Sequence, residues 1–474
     1  MDLSPDEFAR HAHRLADWIA TYLRDVGEYN VLPRLTPGAI RAQLPKSPPA
    51  AAESLDDILA DIDRIVVPGA THWNHPGFLA YFANTASVPG ILGEMIAAAL
   101  NLNGMLWRTS PVATELEQVV TDWLRQLFGM GDGWFGMITD TASISTMYAL
   151  AAARECDPAL GIRQRGMAGR ADLPRLRVYC SEHAHSSVDK AAMTLGFGLD
   201  NVVHVASDAS FRLRPDMLAR AIQADRAQGF RPVAVVATAG TTSMTSVDPI
   251  ADIANICQRE SLWLHVDAAY GGSAMAVPEM RALFSGIDRA DSLVVNPHKW
   301  LFTPMDCSVL FTRQPKVLRR AFSLVAEYLT TPEGDDALNY MDYGLQLGRR
   351  FRALKLWMVV RAFGADGIAA RIRHHCELAR TFADWVTAEG NGWSVCAPVP
   401  FSTVCFRHVP EGETDEEEIA SHNAMIMTRV NESGDIFLSH TKLGDQYVLR
   451  VAIGNLRTSE ATLRRAWALL RAAV

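Results

Sequence analysis

The sequence predicts an α/β chain with a doubly wound, mostly parallel central sheet, preceded by an N-terminal helical segment and followed by a smaller α+β C-terminal domain. Three observations carry that prediction. Apolar runs at Val233-Ala-Val-Val-Ala-Thr238, Leu262-Trp-Leu-His-Val-Asp267 and Ser292-Leu-Val-Val295 give way to polar residues or glycine, and they recur at roughly the 30-residue length of one βαβ unit. The central region alternates such runs with helical periodicity. From Arg350 the pattern changes to long helices, 351–363 and 368–389, and then to short strands such as Thr403-Val-Cys-Phe-Arg and Tyr447-Val-Leu-Arg-Val-Ala. The expected units are 1–87 (N-terminal helical segment), 88–354 (large domain) and 355–474 (small C-terminal domain).

Taken in order, Phe8, Leu15, Trp18, Ile19, Tyr22, Leu23 and Val26 fall at helical spacing and give the first segment one broad apolar face. Leu44-Pro-Lys-Ser-Pro-Pro-Ala reads as a linker that separates this helix from the body. Asp140, Thr141 and Ser143 sit where an apolar-periodic helix over 145–153 begins, so its free N–H groups and small hydroxyls form a cradle for an anion. A plain N-cap is compatible with the same residues. His183 and His185 have the spacing of a ligand pair on an extended segment, but no third ligand stands at a recognisable distance, and no metal is expected. His72, His75, His374 and His375 carry no comparable signal, and the last two are expected on a solvated helix face. Asp415-Glu-Glu-Glu-Ile reads as a solvated helix start.

The most informative stretch is Ser292-Leu-Val-Val-Asn-Pro-His-Lys299-Trp300. Leu293 to Val295 read as a buried strand, and Pro297 stops the ladder, leaving His298 and Lys299 just past its carboxyl end. Ligand chemistry in open α/β sheets gathers at that edge. Right-handed crossovers bring the ends of the three runs, with Thr238, Asp267 and Lys299, to the same edge. A desolvated lysine there is suited to Schiff-base formation with an aldehyde. An aspartate at the end of a buried strand needs a partner, either a protonated pyridine nitrogen or Lys299 itself.

A chain of 474 residues that is 49% hydrophobic can bury a sizeable core. A formal net charge of -8 gives no footprint for nucleic acid. Seven cysteines with no C-x-x-C pair indicate reduced thiols in a cytoplasmic setting. The acidic start Met-Asp-Leu-Ser-Pro-Asp-Glu is unlike a signal peptide, and no uninterrupted apolar run has the length of about 18 residues that a membrane span needs.

The strings THWNHPGFLAYF (71–82), TSPVATELE (109–117), TASISTMYALAAARE (141–155), HAHSSVDKA (183–191), ATAGTTS (237–243), LHVDAAY (264–270), NPHKW (296–300) and LGRRFRALKLW (347–357) occur in register. Together they resemble the aromatic L-amino acid decarboxylases, pyridoxal phosphate (PLP) enzymes of the group II decarboxylase family, with the bacterial branch looking closest. The resemblance implies a fold-type I PLP enzyme acting as a homodimer with its active site near the subunit interface and the N-terminal segment packed across the partner. It implies Lys299 as the amine that carries the cofactor and Asp267 as the partner of the pyridine nitrogen. His185 then stacks on one face of the ring and Ala269 presses on the other. Ala142 and Ser143 hold the phosphate, with Asn296 and His298 adding donors, and Thr238 with His185 helps orient the substrate carboxylate.

Tyr328, in the turn-rich stretch Ala326-Glu-Tyr-Leu-Thr-Thr-Pro-Glu-Gly-Asp-Asp, is implied as the acid that returns a proton to the substrate. Tyrosine at this position favours an amine product, whereas phenylalanine accompanies aldehyde formation. Trp73, Tyr81, Phe82 and Trp107 match the aromatic wall of the family's substrate pocket, with Met105 and Gly348 as further wall residues. Three departures bear on that pocket and the cradle: Met105 stands where animal members carry phenylalanine, Ala83 replaces a common proline, and Asp140 stands where many relatives have glycine. Gly348 leaves room for an indole. The implied activity converts an aromatic amino acid (DOPA, tryptophan, tyrosine, phenylalanine or 5-hydroxytryptophan) to its amine. Its rivals are a PLP-dependent aldehyde synthase, a non-catalytic PLP-binding protein and a metal hydrolase using His183 and His185.

Overall fold

The computed structural model describes residues 3–324 and 337–474. Seven apolar runs form one sheet: β1 (Phe135–Thr139), β2 (Leu176–Ser181), β3 (Val202–Val205), β4 (Arg231–Thr238), β5 (Trp263–Asp267), β6 (Ser292–Val295) and β7 (Ser308–Thr312). Their order is β1-β7-β6-β5-β4-β2-β3. The pairs from β3 to β6 are parallel, and β7 runs antiparallel to both β6 and β1. Every residue of β5 and β6 is buried, as strands covered by helices on both faces require. The register sets Thr238 beside Asp267 and Asp267 beside Val294. The three strand ends singled out in the sequence are therefore neighbours on one edge.

The helix Ala142–Arg154 is buried along nearly its whole length and packs against one face of the sheet. The helix Ile250–Glu260 contributes to the core on the other face. Beyond them, β8 (Trp393–Val395), β9 (Thr403–His408), β10 (Ser439–Leu443) and β11 (Gln446–Ala452) form an antiparallel sheet in the order β10-β11-β9-β8. It has its own core around Phe382, Phe406, Leu449 and Trp467. The long helical stretch Arg352–Glu389 joins the two sheets and breaks at Gly364, whose φ of +64° few other residues adopt. That break falls between the two helices expected from the sequence.

The N-terminal helix Pro5–Asp25 starts from a capping box made by Ser4 and Glu7. None of its residues is buried, and Phe8 remains 64% exposed. A second uncovered apolar face lies on the helix Val88–Leu100, where Val88, Leu92, Met95, Ile96 and Leu100 are exposed. Residues 44–53 are irregular and exposed. One expectation is corrected here. His375 is not solvated but buried, accepting the Trp300 indole N–H at 3.0 Å. A helical position next to an exposed His374 says nothing about which face meets the core, and here the strand-end motif NPHKW supplies the partner.

Candidate active site

At the carboxyl edge, each functional side chain is held by the strand that ends beneath it. Thr238 closes β4, and its N–H donates to the buried Asp248 carboxylate at 2.7 Å. Asp267 closes β5 and accepts the Ala269 N–H on Oδ1 at 3.1 Å. Asn296 follows β6, with its N–H on Ala269 O at 3.0 Å, and begins the short turn Pro297–Trp300 that carries His298 and Lys299. His298 Nδ1 accepts the Cys307 N–H at 3.0 Å. The helix Ala142–Arg154 starts beside this group, because Ser145 Oγ lies 2.8 Å from Thr139 Oγ1 and 3.3 Å from Ser308 Oγ. Its first intrahelical donors are Ile144 and Ser145, so the N–H groups of Ala142 and Ser143 precede the helical ladder.

Lys299 lines a cavity of about 300 Å³ together with His298, Tyr81, Phe82, Thr242 and Arg450. Its ammonium lies 5.2 Å from the centre of the Phe82 ring, and Phe82 in turn stacks on Tyr270 at 3.8 Å. Tyr270 stacks on Trp300 at 4.6 Å. This column of rings gives the lysine an apolar floor. A larger cavity of about 580 Å³ opens at the amino end of the strands, beside Arg231 and Trp263, and contains none of these groups.

Burial lowers the Lys299 pKa, with the Arg450 cation acting in the same direction and the Asp267 carboxylate opposing both. Among the described residues no ion pair joins Asp267 to Lys299, so the carboxylate acts on the ammonium through its field. His185 is also lowered, by burial first, and it feels both Asp267 and Lys299. Its Nδ1 accepts the Ser187 N–H at 3.1 Å. Burial pushes His298 down to about 3. Both imidazoles are therefore neutral at pH 7. His183 instead meets Ser207 Oγ at 3.2 Å.

The other expected residues fall into two groups. Tyr81 has a positive φ of 49° and is 56% exposed, while Phe82 is buried beneath Lys299. Trp73 stacks near Tyr81 at 6.2 Å but does not line the lysine cavity. Met105, Trp107 and Gly348 also lie outside that cavity within one chain. Met105 packs with Leu106 and Met341, Trp107 donates to Glu115 at 2.7 Å, and a Cβ at Gly348 meets only Asn103 Nδ2, at 3.8 Å. Tyr328 lies outside the described residues.

Arg450 was not anticipated. It is 3% exposed on β11; its Nε donates to Ser243 O at 2.9 Å and its Nη1 to Tyr81 O, while Nη2 is buried without a partner. The guanidinium lies 4.7 Å from the Phe82 ring, beside Lys299. A lone arginine inside the apolar run Tyr447-Val-Leu-Arg-Val-Ala was the available signal, since a buried cation requires a reason.

Two further polar atoms at the strand ends, Thr238 Oγ1 and Asn296 Oδ1, are buried without partners. Together with the neighbouring carboxylate, the depressed lysine and the open helix terminus, they match the donors, acceptors and charges of a phosphorylated pyridine aldehyde. The fold and this edge define a fold-type I PLP-dependent enzyme. The profile of the pyridoxal-dependent decarboxylase conserved domain matches residues 37–409, and the chain belongs to that family.

Tyrosine decarboxylase 4 of Petroselinum crispum is 39% identical over 99% of this chain and 93% of its own. Phenylacetaldehyde synthase of Arabidopsis thaliana is 36% identical, again over 99% of this chain and 95% of its own. A crystal structure of Oryza sativa TDC with PLP and tryptamine superposes with a TM-score of 0.95 at 36% identity, covering 100% of this chain and 98% of that one. These relatives are plant proteins and lend no support to the expected tie to a bacterial branch.

Proposed function

We propose that this enzyme decarboxylates an aromatic L-amino acid (DOPA, tryptophan, tyrosine, phenylalanine or 5-hydroxytryptophan) to the corresponding amine and CO2. The observation that carries the reading is the pKa-lowered Lys299, set in an aromatic-floored cavity one strand from Asp267. When bound, PLP supplies an electron-accepting ring for the pair of electrons left as CO2 departs. Lys299 offers a neutral amine to the aldehyde. Asp267 would keep a proton on the pyridine nitrogen, with His185 and Ala269 on its two sides. The Ala142 and Ser143 N–H groups would hold the phosphate, with Asn296 and His298 beside them.

Thr238 and His185 orient the substrate carboxylate, and the unpartnered Arg450 Nη2 gives that carboxylate a cation to meet. Tyr328 returns the proton to the substrate carbon. Trp73, Tyr81, Phe82, Met105, Trp107 and Gly348 form the aromatic pocket. That Met105, Trp107 and Gly348 lie outside the lysine cavity of their own chain supports a pocket completed in a homodimer, each copy supplying wall to its partner's site.

The uncovered apolar faces of Pro5–Asp25 and Val88–Leu100 support that dimer. In this reading 1–87 is the dimerisation segment, 88–354 the cofactor domain and 355–474 the small domain. The free cysteines suit the cytoplasm, and among the described residues no helix is long and apolar enough to cross a membrane. Light scattering that gave one chain's mass at micromolar concentration would remove the dimer.

The kinship with a phenylacetaldehyde synthase keeps one other outcome in view, and product analysis separates the two. Purified protein with PLP is given a panel of aromatic and acidic L-amino acids, and CO2, amine, aldehyde and ammonia are quantified together. Amine equal to CO2 from an aromatic substrate is expected. Aldehyde with ammonia and peroxide would replace the reading by the synthase, and absence of any product would overturn both.

A further inference from the structure

Strand β1 is an edge of the seven-stranded sheet, and the outward N–H and C=O groups of an edge strand need partners. At Ile138 one ion pair supplies both. Glu117 Oε1 accepts the Ile138 N–H at 2.8 Å and Arg349 Nη2 at 2.7 Å, while Glu117 Oε2 accepts Arg349 Nη1 at 3.1 Å. Arg349 Nη2 also donates to Ile138 O at 2.7 Å. The two side chains are only 8% and 5% exposed, and the guanidinium lies 4.5 Å from the Tyr340 ring.

The main chain of Arg349 reaches in the other direction. Its N–H donates to Asn103 Oδ1 at 2.9 Å, and its carbonyl accepts the Gly104 N–H at 2.8 Å. Met105 follows directly, and Gly348 directly precedes Arg349. On the β1 side, Thr139 is next after Ile138 and bonds Ser145 in the first turn of the helix that begins at Ala142. One residue pair therefore joins the strand that ends beside the phosphate cradle to two segments that each carry a pocket-wall residue.

Burying two charges is weak ground for stability, because desolvation offsets the attraction. What such a pair fixes is geometry, through bidentate bonds that an apolar pair lacks. We infer that Glu117 and Arg349 are positioning residues that set the substrate-pocket segments at Asn103–Met105 and Gly348 in register with the cofactor cradle at the end of β1. The substrate half of this inference rests on the aromatic decarboxylase reading; the cofactor half does not.

The test compares wild-type holoenzyme with Arg349→Lys and Asn103→Ala, measuring KM, kcat and the Kd for PLP from the absorbance of bound cofactor. Lysine keeps the charge and loses the fork. Arg349→Lys is expected to raise both KM and the PLP Kd about tenfold, with kcat within about threefold at saturation. Asn103→Ala removes one of the two bonds between the Arg349 main chain and the pocket segment and leaves the Glu117 fork intact, and it is expected to raise KM several-fold while leaving the PLP Kd unchanged.

A soluble Arg349→Lys enzyme with wild-type KM and PLP Kd overturns the inference. So does Asn103→Ala with unchanged KM, and that variant decides the matter if Arg349→Lys fails to fold. If wild-type enzyme turns over no aromatic amino acid, the decarboxylase reading fails on its own, and the PLP Kd of Arg349→Lys still decides the cofactor half.

Discussion

Lys299 owes its lowered pKa first to burial over its aromatic floor. Phe82, backed by Tyr270 and Trp300, removes water from the ammonium, and Arg450 adds a second cation over the same ring. Both effects favour the neutral amine. Replacing Lys299 with alanine is expected to lower kcat by about a thousandfold or more, ~4 kcal/mol in activation free energy, while PLP still binds through the cradle; near-wild-type turnover in a PLP-loaded variant would refute its role. Tyr328→Phe is expected to divert product from amine toward aldehyde, read by mass spectrometry, and an unchanged product ratio would remove Tyr328 as the acid. Lys299 and Asp267 were legible in the sequence because each stands at the end of an apolar run where polarity changes abruptly. Arg450 was marked only by standing inside an apolar run, and neither its position beside the lysine nor the burial of His375 was legible, because nothing in a strand or a helix says what lies across the interface it faces.

Elements meet closely where the sequence has glycine. A Cβ on Gly93 would lie 2.6 Å from Lys355 Cα, so the helix Val88–Leu100 meets the Arg352–Glu389 stretch through a residue that has no side chain. The contact also brings the buried Lys355 to Glu94. Gly93→Ala is expected to cost about 1–3 kcal/mol by forcing these helices apart and loosening that pair, measured as a lower urea midpoint; an unchanged midpoint would mean the helices shift freely. The strand runs and the helical periods were readable because burial imposes a period on each. The antiparallel insertion of β7 between β6 and β1 was not, since a strand's direction depends on how its connection turns.

Across the whole molecule, His265, His298 and His375 are buried and held down to about 4, 3 and 3. Their folded values lie below the unfolded value of about 6.5, so the stability they confer is present above that pH and is lost as pH falls toward 4. Asp248 acts oppositely. Burial raises it to about 6, so its contribution is full below its unfolded value and is lost as pH rises through 6. The lowered histidines outnumber the raised carboxyls Asp248 and Asp291, so stability is expected to fall as pH drops from 6 to 4. Thermal unfolding of the holoenzyme from pH 7 to 4.5 tests this; a Tm that stays level or rises on acidification would contradict the buried neutral histidines.

The α/β class, the strand ends that carry Thr238, Asp267 and Lys299, and the start of a helix just after Thr141 were all readable in the sequence. Each of these is written in local chemistry: an apolar run, a proline stop, a helix start. Only the packing shows that Phe82 lies under the lysine, that Arg450 reaches the same ring from another sheet, and that Met105, Trp107 and Gly348 do not line the lysine cavity of their own chain. Those are contacts between segments far apart in the chain, fixed by how two sheets and the helices around them pack, and no local period encodes them.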